Sequence, residues 1–189
     1  SIAVIGAGKQ PDGVDSTLEF NLIEGGFKGP VMPVNPDRQS ISGVLAYKNI
    51  ESLPVTPDLA ILTVPLEQTP TLISQLGARG TRAALLISRE ILQDHRGDRP
   101  ALLSPTLQRN HPDDGESLRQ RVLDAAKPYL LRIMGPDHLG YAVPSTNVNA
   151  SLSSNRPLAG HVALLCQSAA VMRSVIDWAT SREIGFSHV

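Results

Sequence analysis

The 189-residue sequence predicts an α/β fold built on a doubly wound parallel sheet. Three observations indicate this fold. Apolar runs of strand length recur without alternating polar residues, as in strands that are buried on both faces. Segments with a helical spacing of leucine and isoleucine lie between these runs. Glycine or proline follows most of the runs, where a chain that leaves a sheet has to turn.

Five apolar runs are predicted to be the strands of this sheet. In chain order they are residues 2–5, 30–34, 58–64, 82–87 and 131–134. Helices are predicted between them, with Leu18 and Leu22 on the apolar face of the first and Ile73 and Leu76 on that of the second. A further helix over residues 116–129 leads into the last strand. Strands that alternate with helices in this way favour right-handed crossovers and a parallel order.

The charge balance excludes several classes of function. The chain has 17 basic and 18 acidic side chains, a net charge of −1. This balance provides no broad basic surface for nucleic acid or for an anionic membrane, and no apolar run reaches the roughly 20 residues that span a bilayer. The single cysteine, Cys166, excludes an intrachain disulfide and favours a cytoplasmic location. The five histidines have no metal-ligand spacing, so no metal site is predicted, and no catalytic residue is predicted either.

The predicted domain organisation is one complete domain followed by the start of another. Residues 1–154 are predicted to form a Rossmann-like domain, with 89–114 as an exposed loop insertion rich in charge and proline. Residues 155–189 are predicted to hold a linker and the first strand and helix of a second, truncated domain. A lone strand–helix pair cannot cover its own sheet face, so the sequence is expected to be a piece of a longer protein, with the next strand beyond residue 189.

The helix of this second unit is predicted over residues 168–183, after a strand at 161–165. Ser168 is the expected N-cap. The apolar side of the helix is predicted to contain Val171, Val175, Ile176 and Trp178.

Gly6-Ala7-Gly8, directly after the first strand, predicts a phosphate-bearing ligand. Glycine permits a positive φ and a close backbone approach, and the helix that follows offers unpaired N–H groups to a phosphate. Pro11 stands where the dinucleotide fingerprint has its third glycine, and Asn35 stands where an acid would bind a ribose, so both disfavour NAD. An NAD-type redox-sensing module and a purely structural docking module remain alternatives.

In open parallel sheets, ligands bind outside the carboxyl ends of the strands. The sequence therefore predicts the site at the turns that end the strands. The candidate binding residues are Gly6, Ala7, Gly8, Lys9, Pro33, Val34, Asn35, Thr63, Val64, Pro65, Ile87, Ser88, Gly135 and Pro136.

Several of these segments carry a family resemblance. Residues 1–7, 25–31, 33–36 and 53–61, together with the Gly-Pro-Asp-His-Leu-Gly turn at 135–140, resemble the CoA-binding domain of NDP-forming acyl-CoA synthetases, which include the succinyl-CoA ligase alpha subunit. The resemblance implies that CoA, acetyl-CoA or another CoA thioester is bound, with the turn at 6–9 facing its phosphates. The segments 33–35 and 63–65 would then flank adenine and pantetheine.

The resemblance also implies roles for other parts of the protein. It implies that residues 155–189 begin a flavodoxin-like second domain like that of the ligases, truncated here. Lys28, Arg38 and Lys48 become candidate partners of the CoA 3′-phosphate. Ala169-Ala170 replaces a glycine that is usual in the synthetases. This double alanine resembles bifunctional lysine acetyltransferases, in which a synthetase-like region regulates a GNAT acetyltransferase domain.

A regulatory CoA binder within an acetyltransferase is therefore the main expectation, and part of an active NDP-forming acid–CoA ligase is the alternative. ATP would act only in regions of the parent protein outside this sequence. The expected partners are the downstream domains of the same chain, and a homo-oligomer is left open.

Overall fold

The computed structural model describes residues 1–8, 14–87, 118–136, 138–166 and 168–189. The strands in these ranges are β1 Ile2–Ile5, β2 Val31–Val34, β3 Ser40–Ile41, β4 Val44–Leu45, β5 Leu59–Leu62, β6 Ala83–Leu86, β7 Arg132–Met134, β8 Gly140–Val143, β9 Val148–Ser151, β10 Ala159–Ala163 and β11 Phe186–His188. The α-helices are α1 Val14–Ile23, α2 Thr69–Ala78, α3 Leu118–Ala126 and α4 Ala169–Thr180.

A five-stranded parallel sheet in the order β2-β1-β5-β6-β7 forms the centre of the fold. Ile2 of β1 is in register with Val31 of β2 on one side and with Leu59 of β5 on the other. The chain moves from β1 to β2 and then returns across β1 to β5. The winding direction therefore reverses between β1 and β5, and such a reversal opens a crevice outside the carboxyl ends of the two strands.

Successive side chains of each central strand point into two different buried layers. Val4 of β1 belongs to the layer that contains Leu18 of α1. Ala3 of the same strand belongs to the opposite layer, with Ile73 of α2 and Val122 of α3. Helices therefore cover both faces of the sheet, which confirms the doubly wound α/β fold and explains why the strands read as uninterrupted apolar runs.

The five predicted strands are confirmed. Four of them are shorter than their predicted apolar runs, by one or two residues at one or both ends. The predicted helix at 116–129 is α3 followed by a 3-10 turn at Lys127–Tyr129. The predicted loop insertion at 89–114 lies outside the described residues. None of the helices in the described ranges is long and apolar enough to cross a membrane.

The C-terminal unit is a β–α–β element. Its second strand, β11, lies within the sequence, whereas the sequence pattern predicts this strand beyond residue 189. Residues 181–183 of the predicted helix are already a turn: α4 ends at Thr180, and Glu183 adopts a left-handed φ of 56°. The chain thus reverses early enough for Phe186–His188 to pair in parallel with β10. Reciprocal backbone hydrogen bonds of 2.8 and 2.9 Å join Ala142 and Val189, so β11 also contacts β8. The predicted domain boundary after residue 154 stays a prediction.

The buried face of α4 differs from the predicted one. Met172, Ile176 and Ala179 are buried, at the spacing of four and three residues that defines one side of a helix. Val171 and Trp178, which the sequence placed on the apolar side, are 52% and 53% exposed. Only Ile176 of the fully buried set was predicted. Ser168 is confirmed as the N-cap, since its hydroxyl accepts a hydrogen bond from the Val171 amide.

A buried amide attaches α1 to the β8–β9 hairpin. The Nδ2 group of Asn21 donates to the carbonyl oxygens of Ser151 and Ser153, at 2.8 and 2.9 Å. Replacing Asn21 by Ala leaves both carbonyls without this donor inside the protein. We expect the free energy of unfolding in urea to fall by about 2 kcal/mol.

Asn155→Ala is the matched control, because the Asn155 side-chain amide donates to Asp177 at an exposed position. Its loss is expected to stay below about 1 kcal/mol. Equal losses in the two variants would show that Asn21 does not hold the hairpin.

Candidate ligand site at the carboxyl edge of the sheet

The Gly6-Ala7-Gly8 turn lies at the point where the sheet reverses its winding direction. The Gly6 amide donates to the Val34 carbonyl at the end of β2, at 3.1 Å. The Thr63 amide, just past β5, donates to the Ile5 carbonyl at 2.9 Å. The turn is therefore held between the ends of the two strands that flank β1. Gly6 and Gly8 have φ values of 93° and 72°, which glycine adopts at little cost.

Three buried side chains from three different elements bind the main chain of this turn. The Thr63 hydroxyl donates to the Ile5 carbonyl at 3.2 Å, and Asn35 Nδ2 donates to the Ala7 carbonyl at 2.6 Å. The carboxylate of Glu19 accepts from the Gly8 amide, also at 2.6 Å. We call Glu19, Asn35 and Thr63 the turn clamp. Because all three are less than 5% exposed, their hydrogen bonds are shielded from competition by water.

Asn35 links the turn after β1 to the segment that follows β2 through three hydrogen bonds. Its Nδ2 group is bound to Ala7, and its Oδ1 atom accepts from the Asp37 amide at 2.8 Å. Its backbone amide donates to the Tyr47 carbonyl at 2.8 Å. The sequence predicts Asn35 as a ligand-binding residue. In the structure its side chain is buried and binds the main chain of the turn, and its contact with a ligand stays a prediction.

Glu19 was not predicted as part of the site. It stands on α1 next to the core residue Leu18, and no local pattern distinguishes it from the exposed acids that are common on amphipathic helices. Burial raises the pKa of the Glu19 carboxyl, while the hydrogen bond from Gly8 and the positive charge of Arg38 partly offset that rise.

Arg38 is the candidate cation that the structure brings to the turn. A Cβ atom built on Gly8 would lie 3.5 Å from Cδ of Arg38, and the Arg38 side chain is exposed. Lys28 precedes β2 and therefore lies at the opposite edge of the sheet. Lys48 is exposed and follows Tyr47, whose amide donates to the Pro33 carbonyl at the end of β2.

The remaining candidate residues occupy the same edge of the sheet at different distances from the turn. Val64 adjoins it, since a Cβ atom on Gly6 would lie 2.8 Å from Val64 Cγ1. Val34 and Ile87 are buried, whereas Pro65 is exposed. Gly135, joined to Pro136 by a cis peptide bond, follows β7. Because β7 lies three strands from β1, Gly135 is about 14 Å from the turn across the sheet.

Two candidate residues, Lys9 and Ser88, lie outside the described residues. In the part of the chain that the structure describes, no group of three or more His, Cys, Asp or Glu side chains is arranged to hold a metal ion.

The space around Gly6 provides a test of the turn's geometry. Gly6→Ala combines a positive φ with a Cβ atom 2.8 Å from Val64 Cγ1. Gly43→Ala has a similar φ of 78° but nothing within 4 Å of its Cβ. We expect Gly6→Ala to lower the free energy of unfolding by about 2 to 4 kcal/mol and Gly43→Ala by about 1 kcal/mol, measured by urea denaturation. Similar losses would contradict the close packing of the turn against Val64.

The chain is similar to several acid–CoA ligases. It is 30% identical over 188 residues to acetate–CoA ligase (ADP-forming) I of Archaeoglobus fulgidus. The aligned region covers 100% of this chain and 25% of that protein. It is 28% identical over 193 residues to the alpha subunit of acetate–CoA ligase (ADP-forming) I of Pyrococcus furiosus, of which it covers 38%. The chain therefore spans about a quarter to two fifths of the length of these relatives.

The fold agrees with that of a solved synthetase. The structure superposes on the apo form of the dinucleotide forming acetyl-coenzyme A synthetase 1 of Ca. Korarchaeum cryptofilum with a TM-score of 0.80 and 27% identity, over 99% of this chain and 37% of that one. Residues 1–144 match the protein family described as CoA binding domain. This match includes the whole five-stranded sheet and the turn after β1, and the chain belongs to the CoA-binding domain family.

Proposed function

We propose that this chain binds CoA or acyl-CoA at the carboxyl edge of the sheet, with the diphosphate at the Gly6-Ala7-Gly8 turn. The observation that carries the proposal is the position of this turn. It lies at the winding reversal, beside the exposed cation Arg38. Backbone amides and a guanidinium are the groups that bind phosphate oxygens in proteins.

The rest of the ligand would extend along the edge away from the turn. Residues 33–35 would flank adenine, and the exposed Arg38 beside them would pair with the 3′-phosphate. Residues 63–65 would flank the pantetheine arm, which would then run past Ile87 towards Gly135 and Pro136. Lys9 and Ser88 stay proposed CoA-binding residues on the evidence of the sequence, with Lys9 facing the phosphates.

For the parent protein we propose an acid–CoA ligase that consumes a nucleoside triphosphate. Among the similar proteins are ligases for acetate and for 4-hydroxybutyrate, and this supports the ligase alternative of the sequence analysis over the acetyltransferase expectation. ATP would act in regions of the parent outside this chain, which itself would supply the CoA site and no catalytic residue. The Pyrococcus relative is named as an alpha subunit, so we propose that the parent acts together with further domains or subunits. The single cysteine supports the proposal of a cytoplasmic location.

The C-terminal unit is proposed to open a second α/β domain. Among the described strands, β10 pairs with β11 alone, so its other edge is available to downstream strands of the parent chain.

The acetyltransferase reading remains a second candidate, because Ala169-Ala170 resembles that group. An activity assay of the full-length protein distinguishes the ligase from the acetyltransferase. A ligase converts acid, CoA and ATP into acyl-CoA, ADP and phosphate, whereas an acetyltransferase moves the acetyl group of acetyl-CoA to a lysine amine without ATP.

Calorimetry with CoA, acetyl-CoA and NADH on this chain tests the binding function. We expect CoA and acetyl-CoA to bind and to compete with each other. We expect no competition from NADH, since the Asn35 amide is already bound to Ala7 and no acid follows β2 at that position. No binding of CoA at millimolar concentration, or displacement of CoA by NADH, would contradict the proposal.

The role of Arg38 can be measured with the same titration. Arg38→Gln removes one charge-assisted hydrogen bond to the 3′-phosphate. We expect it to weaken CoA binding by about 10- to 100-fold and the binding of 3′-dephospho-CoA, which keeps only the diphosphate near Arg38, clearly less. Arg82→Gln is the control, because Arg82 is exposed at the amino end of β6, on the opposite edge of the sheet. Equal weakening of both ligands by Arg38→Gln would contradict the assignment.

A further inference from the structure

The Gly8 amide of the proposed phosphate site is already bound to an anion of the protein itself. The carboxylate of Glu19 accepts its hydrogen at 2.6 Å and is 4% exposed. Glu19 is the sixth residue of α1, and helical side chains lean towards the helix N-terminus. Its carboxylate is thereby brought to the glycine turn, where a carboxylate and a phosphate oxygen compete for the same donor.

The turn has few amides to offer. The Gly6 amide donates to the Val34 carbonyl within the sheet, and the Gly8 amide donates to Glu19. Two of the three amides of the turn are thus committed inside the protein. A ligand phosphate that uses the Gly8 amide has to take it from Glu19, and it approaches an ionised carboxylate as it does so.

We propose that Glu19 sets the affinity of the turn for phosphate, because CoA binding requires the Glu19 carboxylate to release Gly8 and take up a proton. This inference rests on the proposed CoA-binding function. The proton comes from the solvent and converts the carboxylate to a carboxylic acid, while the Gly8 N–H becomes a donor to the ligand phosphate. Glu19 is a positioning residue in this account, since it acts on the ligand through the turn.

The surroundings of Glu19 favour this exchange. Among the described residues, Arg38 after β2 is the charged group that acts on the carboxylate. The strands β1 and β9, which also pack against α1, consist of uncharged residues. With Arg38 as the cation that the described residues place nearby, and with little water around the buried carboxylate, a second anion at the turn is strongly repelled while Glu19 is ionised.

The direction of the pH effect follows from linkage. Burial already raises the pKa of the Glu19 carboxyl in the free protein, and a bound phosphate raises it further. Between these two pKa values CoA binding takes up a proton, so the affinity falls as the pH rises through this window. Below the window Glu19 is protonated in both states and this pH dependence ends.

The experiment compares the wild-type chain with Glu19→Gln by calorimetry with CoA, in two buffers of different ionisation enthalpy and at several pH values. Glutamine keeps an oxygen acceptor for Gly8 but has no charge. We expect the variant to bind CoA about tenfold more tightly at neutral pH and to take up fewer protons per CoA than the wild type. Protonation changes of CoA's own phosphates occur in both proteins and cancel in the comparison.

Glu24→Gln is the matched control, because it removes the same charge from an exposed position just after α1. It is expected to behave as the wild type. Equal affinity and equal proton uptake in Glu19→Gln and the wild type would overturn the inference while CoA binding itself stands. Weaker binding by Glu19→Gln would also overturn it, since Glu19 would then only support the turn. No CoA binding by any of the three proteins would overturn the proposed function and this inference together.

A measurement on the unmutated chain covers the case in which Glu19→Gln does not fold. With ¹³C-labelled glutamate side chains, the carboxyl resonance of Glu19 is expected to move to its protonated position when CoA is added near neutral pH. A Glu19 resonance that stays at the ionised position in the CoA-saturated protein would overturn the inference.

Discussion

The structure of the site depends on the buried hydrogen bonds of the turn clamp. Thr63, Asn35 and Glu19 come from the ends of β5 and β2 and from α1, and each binds a different main-chain atom between Ile5 and Gly8. The turn therefore has its shape only when all three elements are in place. In a buried environment, where an unpaired polar group is costly, these bonds fix the backbone amides before a ligand arrives.

The clamp is chemically asymmetric, and this asymmetry connects fold stability to ligand binding. Thr63 and Asn35 donate to carbonyl oxygens, which a phosphate does not need, so they support the turn in the free and the bound protein alike. Glu19 accepts from an amide, which a phosphate does need. At the proposed phosphate site, the same carboxylate that completes the free turn would therefore oppose the ligand, and burial, which raises its pKa, would make its neutralisation easier.

Local sequence patterns predict the sheet, and they place the candidate site at its carboxyl edge, but they do not predict the contacts that build the turn there. Runs such as Ile2–Ile5 predict buried strands because burial on both faces removes the alternation of polar residues. The clamp joins residues up to 58 positions apart, and no local pattern records such a pairing. The position of β11 was missed because a left-handed Glu183, rather than a glycine, ends the turn after α4. On α4, Val171 and Trp178 were assigned to the buried side by their hydrophobicity, whereas the helical period selects Met172 and Ala179.

If the phosphates of CoA bind at the turn after β1, as proposed, the backbone amide signals of that turn report their binding most directly. In a ¹H–¹⁵N correlation spectrum of the ¹⁵N-labelled chain titrated with CoA, the largest shifts are predicted at Gly6, Ala7 and Gly8, with smaller ones at Arg38 and Val64. Shifts that concentrate instead around Trp178 on the outer face of α4, with the three turn amides unmoved at saturation, would contradict the account.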